Sequence, residues 1–293
     1  MNAKVVSPLA RCPIKIRSPR LRTTSRNNAP KLSSGRYIEA SDYVRGRQED
    51  GLVLYSHTVC PYAQRVWLAL EEKELEYTLV QIDLANKPSW YRSVNPRGLV
   101  PAVEYDGTVV TESDEICQWI EENFDGPQLT PSDKDAREFA ENIIRQAGPV
   151  SHAGLGLLGG STSHMWGVGS SPTDAQISAF ESSLNVIEEG FDRFGGPYLV
   201  GNKVTLADIS IFPFIERFAL AFPEFSGYDP RECCNGKLGA WLDTMQNQKA
   251  SQVTMANRDL LLDALRSHKS LDFFDYVTYP ISRLHPHISV TSF

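Results

Sequence analysis

The chain has 293 residues, 41% of them hydrophobic, enough to bury one large core or two smaller ones. Its formal charge is −7, unevenly spread: residues 1–36 hold nine Lys/Arg and no acid, so the remaining 20 basic residues face all 36 acidic ones, a balance of −16. An acidic body argues against a nucleic-acid partner, and no apolar run reaches the roughly 18 residues needed for a membrane-spanning helix, so a soluble globular protein is expected.

The basic, acid-free, Ser/Thr-bearing stretch 1–36 reads as a disordered transit peptide, to be excluded from the fold. A chloroplast is the leading address, with a mitochondrion as the alternative, or the cytoplasm if this stretch is no transit peptide. A basic nucleic-acid arm is the competing reading, weakened by prolines at 8, 13, 19 and 30.

From Gly51 the pattern alternates strand and helix. Leu52 to Ser56 predicts a strand, Pro61 to Glu72 a helix with Val66 and Leu70 on one face, and Glu76 to Asp83 a second strand. Residues 102–105 and 108–111 are short β-rich runs around Asp106-Gly107, a hairpin signal. Ser113 starts a further helix, with Asp114 and Glu115 in its first turn and Ile116, Trp119 and Ile120 on its apolar face. A first unit over 50–125 and a Pro/Gly-rich linker over 126–132 follow.

Beyond the linker an all-helical unit is expected over 133–268, with helices near 133–147, 173–194, 206–220, 237–248 and 256–267. Gly154 to Ser171 is glycine-rich and uncharged, a mobile loop or close-packing bend; it has no phosphate-cradling lysine motif. Val204-Thr205-Leu206-Ala207-Asp208-Ile209 predicts a capping box between Thr205 and Asp208 with a Val204–Ile209 staple, and makes Asp208 structural. The tail 269–293 carries Phe273, Phe274, Tyr276, Tyr279, His285 and His287; packing onto the helical unit is expected, and a two-histidine metal site lacks further ligands. No metal site is therefore assigned.

Five cysteines show neither a C-x-x-C pair nor metal-ligand spacing, which implies a reducing compartment. Cys60 is the chemically informative one. It precedes Pro61, the favoured first residue of a helix, so its thiol sits at the N-cap facing orphan amides, where thiolate is favoured over the free thiol of pKa about 8.5. Cys117 lies among Ile116, Trp119 and Ile120 and reads as core; His57, three residues before Cys60, reads as structural.

Four separated motifs, Cys60-Pro61-Tyr62-Ala63, Val100-Pro101, Glu112-Ser113 and Val204 to Asp208, together resemble a glutathione transferase: an α/β thioredoxin-like N-terminal domain followed by an all-α domain. Cys60 to Arg65, Asn86 to Tyr91 and Asn123 to Pro127 are most similar to the cysteine-type lambda class, close to the omega class and the dehydroascorbate reductases. The resemblance implies glutathione as co-substrate and Cys60 as the catalytic nucleophile. It further implies that Val100, at a cis-Pro101 turn, pairs with the cysteinyl backbone. Ser113 would hold the γ-glutamyl carboxylate, with a plain capping role as its other reading, Glu112 the ammonium and Lys87 the glycyl carboxylate, while Tyr62 lines the site. The implied activity is thiol transfer, deglutathionylation of small glutathionyl conjugates through a Cys60 mixed disulfide, with no resolving thiol at Ala63. Dehydroascorbate reduction is the enzymatic alternative, a non-catalytic carrier of aromatic molecules the alternative of another class, and ordinary conjugation a further one. The acceptor is expected to be small and aromatic; Trp166, Phe214, Phe218, Phe222 and Trp241 are candidate pocket residues or core, and the protein a monomer or homodimer.

Overall fold

The computed structural model describes residues 4–5, 35–46, 51–158, 172–268 and 277–288. The sheet comprises β1 (Lys4–Val5), β2 (Gly35–Glu39), β3 (Val53–Ser56), β4 (Tyr77–Gln81), β5 (Ala102–Tyr105) and β6 (Thr108–Thr111), in the order β1-β6-β5-β3-β4-β2. β3 runs parallel to β4 across helix α1 (Pro61–Glu72), while β5 and β6 are antiparallel, and α2 (Ser113–Asn123) follows. This is the thioredoxin-like arrangement expected of the motifs. The Asp106-Gly107 turn takes positive φ at both residues (47° and 74°), the left-handed pair that fits the right-handed twist of a two-residue hairpin.

Two strands lie outside the unit expected at 50–125. β1 pairs in parallel with Thr108–Val109, and β2 with the whole of β4, so residues at both ends of the stretch read as leader belong to the sheet. The strand signal of Arg36-Tyr37-Ile38 was masked by the charge of the residues before it: Tyr37 and Ile38 are buried, and the Arg36 guanidinium donates to Thr78 Oγ1 at 3.0 Å.

The helical unit comprises α3 (Lys134–Leu157), α4 (Asp174–Ser183), α5 (Asn185–Phe194), α6 (Leu206–Phe225), α7 (Lys237–Gln246), α8 (Lys249–Thr254) and α9 (Arg258–His268), with a short α10 (Ile281–Leu284) beyond it. α3 continues ten residues past the predicted end, through Pro149, because its second half packs on α6. A Cβ on Gly154 would lie 2.2 Å from Phe218, so this glycine permits the close approach, whereas residues 159–171, the rest of the predicted loop, lie outside the described residues. The helix predicted over 173–194 is two, broken at Leu184. α6 is the spine: Thr205 N–H and Oγ1–H both donate to Asp208 Oδ2 at 2.9 Å, and Leu199 N–H and Trp241 Nε1–H donate to Oδ1 at 2.9 Å. Trp241, Phe218 and Phe222 are core, not pocket: Phe218 and Phe222 stack at 4.9 Å with Phe180 edge-on to both.

α1 is buried almost throughout because it is packed on several sides, by α2, α6, α8 and the sheet. The other sheet face is closed by the aromatic cluster Tyr43, Tyr55, Trp90 and Tyr91. The tail does not keep to the helical unit. Ile281 and Leu284 are fully buried, with the Asn257 N–H donating to the Leu284 carbonyl at 2.8 Å and the Ile281 N–H to Glu39 on β2 at 2.9 Å, so residues 277–288 strap both units together.

Candidate functional site

Cys60 occupies the N-cap of α1, with φ −71° and ψ 123°, and Pro61 is the first helical residue. Its carbonyl takes the first helical hydrogen bond from the Gln64 N–H at 2.9 Å. A cavity of about 260 Å³ opens beside it, and its walls include Cys60, Tyr62, Lys87, Val100, Pro101, Glu112 and Ser113, the seven residues singled out from the sequence, joined by Leu84, Asn95 and Leu99.

The elements explain the convergence. β3 and β5 are neighbours, so the start of α1 after β3 meets the Val100–Pro101 bond before β5, which is cis. The preceding turn is held by the Leu99 carbonyl, which accepts from Tyr91 Oη at 2.7 Å and Asn95 Nδ2 at 2.8 Å. Glu112 caps α2 with φ 69°, and Ser113 is its first helical residue, one position later than a capping role would require. Ser113 Oγ accepts from the buried Arg65 Nη1 at 3.2 Å; because a guanidinium only donates, the hydroxyl keeps its own proton for an acceptor in the cavity. Arg65 also meets Asp114 at 2.9 Å and the Ser210 carbonyl of α6 at 2.8 Å.

The sequence assigns no role to three arginines around these residues, including Arg65 at the end of the Cys60–Arg65 motif, because each acts on a residue 15 or more positions away. Besides Arg65, Arg97 pairs with Glu112 at 2.5 Å at the exposed rim. Arg217 on α6 is buried, and its guanidinium donates to the Val59 carbonyl at 2.7 Å and to Gln64 Oε1 at 2.6 Å, with Glu216 3.5 Å away. It thus holds the residue before Cys60 and the first turn after it, and the two groups are electrostatically coupled. At the other rim Lys87 and Arg92 converge: a Cβ on Gly98 (φ 66°) would lie 3.7 Å from Lys87 Cδ and 3.8 Å from Arg92 Cζ.

Of the acceptor-side aromatics, Phe214 is buried behind Tyr62, ring centroids 5.0 Å apart, with the Arg65 guanidinium 4.8 Å from the Phe214 ring; Trp166 lies outside the described residues. Burial pushes the Cys117 thiol up to about 12, which disfavours its thiolate. Cys233 and Cys234 border a separate polar cavity with Glu181 and Glu188, where burial raises both thiols. Burial lowers His57 to about 3 and keeps it neutral. Among the described residues no cluster of three His, Cys, Asp or Glu is placed to hold a metal, and no helix is long and apolar enough to cross a membrane.

The family model described as the glutathione S-transferase N-terminal domain matches residues 59–123, and the one described as its C-terminal domain matches 166–244. Glutathione S-transferase L1 of Arabidopsis thaliana is 34% identical over 215 residues, covering 72% of this chain and 84% of the relative. The chain belongs to the glutathione transferase family. Its curated relatives place it in the lambda class; another of them, Glutathione S-transferase L2, chloroplastic, of the same plant, is 30% identical over 72% of this chain and 68% of the relative. Among solved structures, glutathione transferase Omega 3C from Trametes versicolor superposes with a TM-score of 0.59 at 25% identity, over 70% of this chain and 84% of that one. The glutathione transferase fold thus brings the N-terminus of α1, the cis turn and the N-terminus of α2 to one cavity.

Proposed function

We propose that this lambda-class protein is a glutathione-dependent thiol transferase that removes glutathione from small glutathionyl conjugates held as mixed disulfides. The observation that carries the reading is Cys60 at the N-cap of α1, on the wall of the cavity formed with the cis turn and the start of α2. A thiol at a helix N-terminus is favoured as thiolate, and the buried Arg217 fixes the carbonyl of the residue before it. In this reading glutathione lies along the Val100 backbone, its γ-glutamyl carboxylate on the Ser113 hydroxyl and the α2 amides, its ammonium on Glu112 and its glycyl carboxylate on Lys87, with Tyr62 between glutathione and acceptor.

Cys60 thiolate attacks the glutathione sulfur of a mixed disulfide. The S–S bond passes to Cys60, and the acceptor leaves as a thiolate that takes a proton from water. A second glutathione thiolate attacks the Cys60 mixed disulfide, releasing glutathione disulfide and restoring Cys60 thiolate. The external thiol is required because position 63 is a buried alanine. The chloroplastic naming of one relative supports a plastid address, while the pairing of Lys4–Val5 and of Gly35–Arg36 in the sheet counts against removal of the whole basic stretch.

The test is to assay the full chain and Cys60→Ser with glutathione against a glutathionyl mixed disulfide, dehydroascorbate and chlorodinitrobenzene. The reading requires turnover of the mixed disulfide that Cys60→Ser abolishes, and a much lower rate on chlorodinitrobenzene. Preference for dehydroascorbate would favour the reductase, and absence of turnover with retained binding of aromatic ligands would favour a carrier.

A further inference from the structure

Residues 57–59 are the three residues between β3 and Cys60, the N-cap of α1, and their backbone fixes where Cys60 stands. The amides of Thr58 and Val59 are met by side chains: Thr58 N–H donates to Gln81 Oε1 at 3.0 Å, and Val59 N–H to His57 Nδ1 at 3.4 Å. Besides the Arg217 bond to the Val59 carbonyl, the bridge therefore takes its shape from whatever holds Gln81 and His57.

The C-terminal strap holds both. Gln81 Nε2 donates to the Tyr279 carbonyl at 3.2 Å, orienting the amide so that its oxygen faces Thr58. Thr278 Oγ1 donates to Asp83 Oδ1 at 2.7 Å, which commits its only proton; the 3.2 Å contact with His57 Nε2 then requires the histidine to be the donor. That selects the Nε2-protonated tautomer and leaves Nδ1 unprotonated to accept from Val59, in agreement with the observed contact. Two hydrogen-bonded links thus run from adjacent strap residues, more than 190 positions away in sequence, to the two amides preceding Cys60. The strap is anchored independently of them, by buried Ile281 and Leu284 and by the bonds to Glu39 and Asn257.

We propose that Thr278 and Tyr279 are positioning residues for Cys60: the C-terminal segment sets the conformation of bridge 57–59 and with it the presentation of the thiol. The inference rests on the reading of Cys60 as the nucleophile, and its test reads the thiol itself instead of turnover. In the full chain, Thr278→Val removes the hydroxyl at nearly constant volume, and Thr278→Ser restores it. The rate of Cys60 alkylation by iodoacetamide is followed by mass spectrometry of the Cys60 peptide, together with hydrogen exchange of the Thr58 and Val59 amides and the Kd for glutathione.

Thr278→Val is expected to slow alkylation about three- to tenfold, the effect of about one lost positioning hydrogen bond, and to speed exchange of the two amides. The Kd should change less than twofold, and Thr278→Ser should recover the parental rate. Should Thr278→Val not fold, Thr278→Ala, which also removes the hydroxyl and leaves Gln81 in place, is read in the same way. Parental alkylation rates in a folded variant, even one that melts earlier, would overturn the proposal, since a merely structural contact alters melting without altering the thiol. If Cys60→Ser keeps its thiol transfer activity, the functional reading fails instead, and the alkylation comparison reports that separately.

Discussion

His285 is fully buried, its ring 5.0 Å from Trp67, and its nitrogens face the backbone of Thr58 and Met255 without closing a hydrogen bond of good geometry. Burial, with the neighbouring His287 and Arg217, lowers its pKa from 6.5 to about 3. Between these values the unfolded chain binds a proton that the folded chain refuses, so stability falls as pH drops through 6.5, and the loss is complete near 3. At pH 5, 1.5 units below the unfolded value, this group costs about 2 kcal/mol, and at pH 6 about 0.8 kcal/mol. The parent's pH profile alone does not isolate this effect, because His57 acts in the same direction while burial raises Glu39, Glu72, Asp208 and Glu216, whose protonation on acidification works against it. The diagnostic quantity is the difference between the parent and His285→Leu, which has no proton to take up. Urea unfolding of both at pH 7.5, 6 and 5 should show the variant gaining about 2 kcal/mol on the parent between pH 7.5 and 5. Curves that stay parallel across this range would refute the assignment of His285 as a buried neutral group.

Asp208→Ala removes the acceptor for four hydrogen bonds in a fully buried site and should cost about 3–5 kcal/mol in chemical denaturation. Gly154→Ala forces a methyl against Phe218 and should lower stability by about 1–3 kcal/mol, whereas Gly156→Ala, with open space at its Cβ, should be stabilising or neutral by the same measurement. Glu112→Gln keeps the shape at the rim but removes the charge offered to the ligand ammonium; titration calorimetry should show glutathione binding about three- to tenfold more weakly, with kcat at saturation little changed.

The elements legible in the sequence are those specified by neighbours in the chain. Asp106-Gly107 dictates its own turn, Pro61 starts α1 behind Cys60, and Thr205 with Asp208 nucleates α6. The residues drawn from the family resemblance surround one cavity because the fold joins the ends of β3, the cis turn and α2. What escaped is decided at long range. β2 forms because β4 offers a free edge to Tyr37 and Ile38, although the charge pattern up to Arg36 suggests an unstructured leader. α3 passes Pro149 because Gly154 lets it lie against Phe218. Ser113 is the first residue of α2, as its local sequence suggests, but the Arg65 donor from α1 that reaches its hydroxyl oxygen comes from 48 positions away. Arg217 and Thr278 look like ordinary surface residues in the sequence, and only the packing of α6 and of the strap brings them to Val59 and His57. For the same reason a truncation beginning at residue 37 would cut into β2 and is a poor substitute for the full chain.

The central claim is that Cys60 forms a mixed disulfide with glutathione during turnover. Its most direct measurement is mass spectrometry of the full chain quenched with acid after reaction with a glutathionyl mixed disulfide, in the absence of free glutathione. One glutathionyl group on the Cys60 peptide, absent from Cys60→Ser and discharged when glutathione is added, is the predicted result. An unmodified Cys60 in a protein that still turns over, or a glutathionyl group carried only on Cys233 or Cys234, would contradict it.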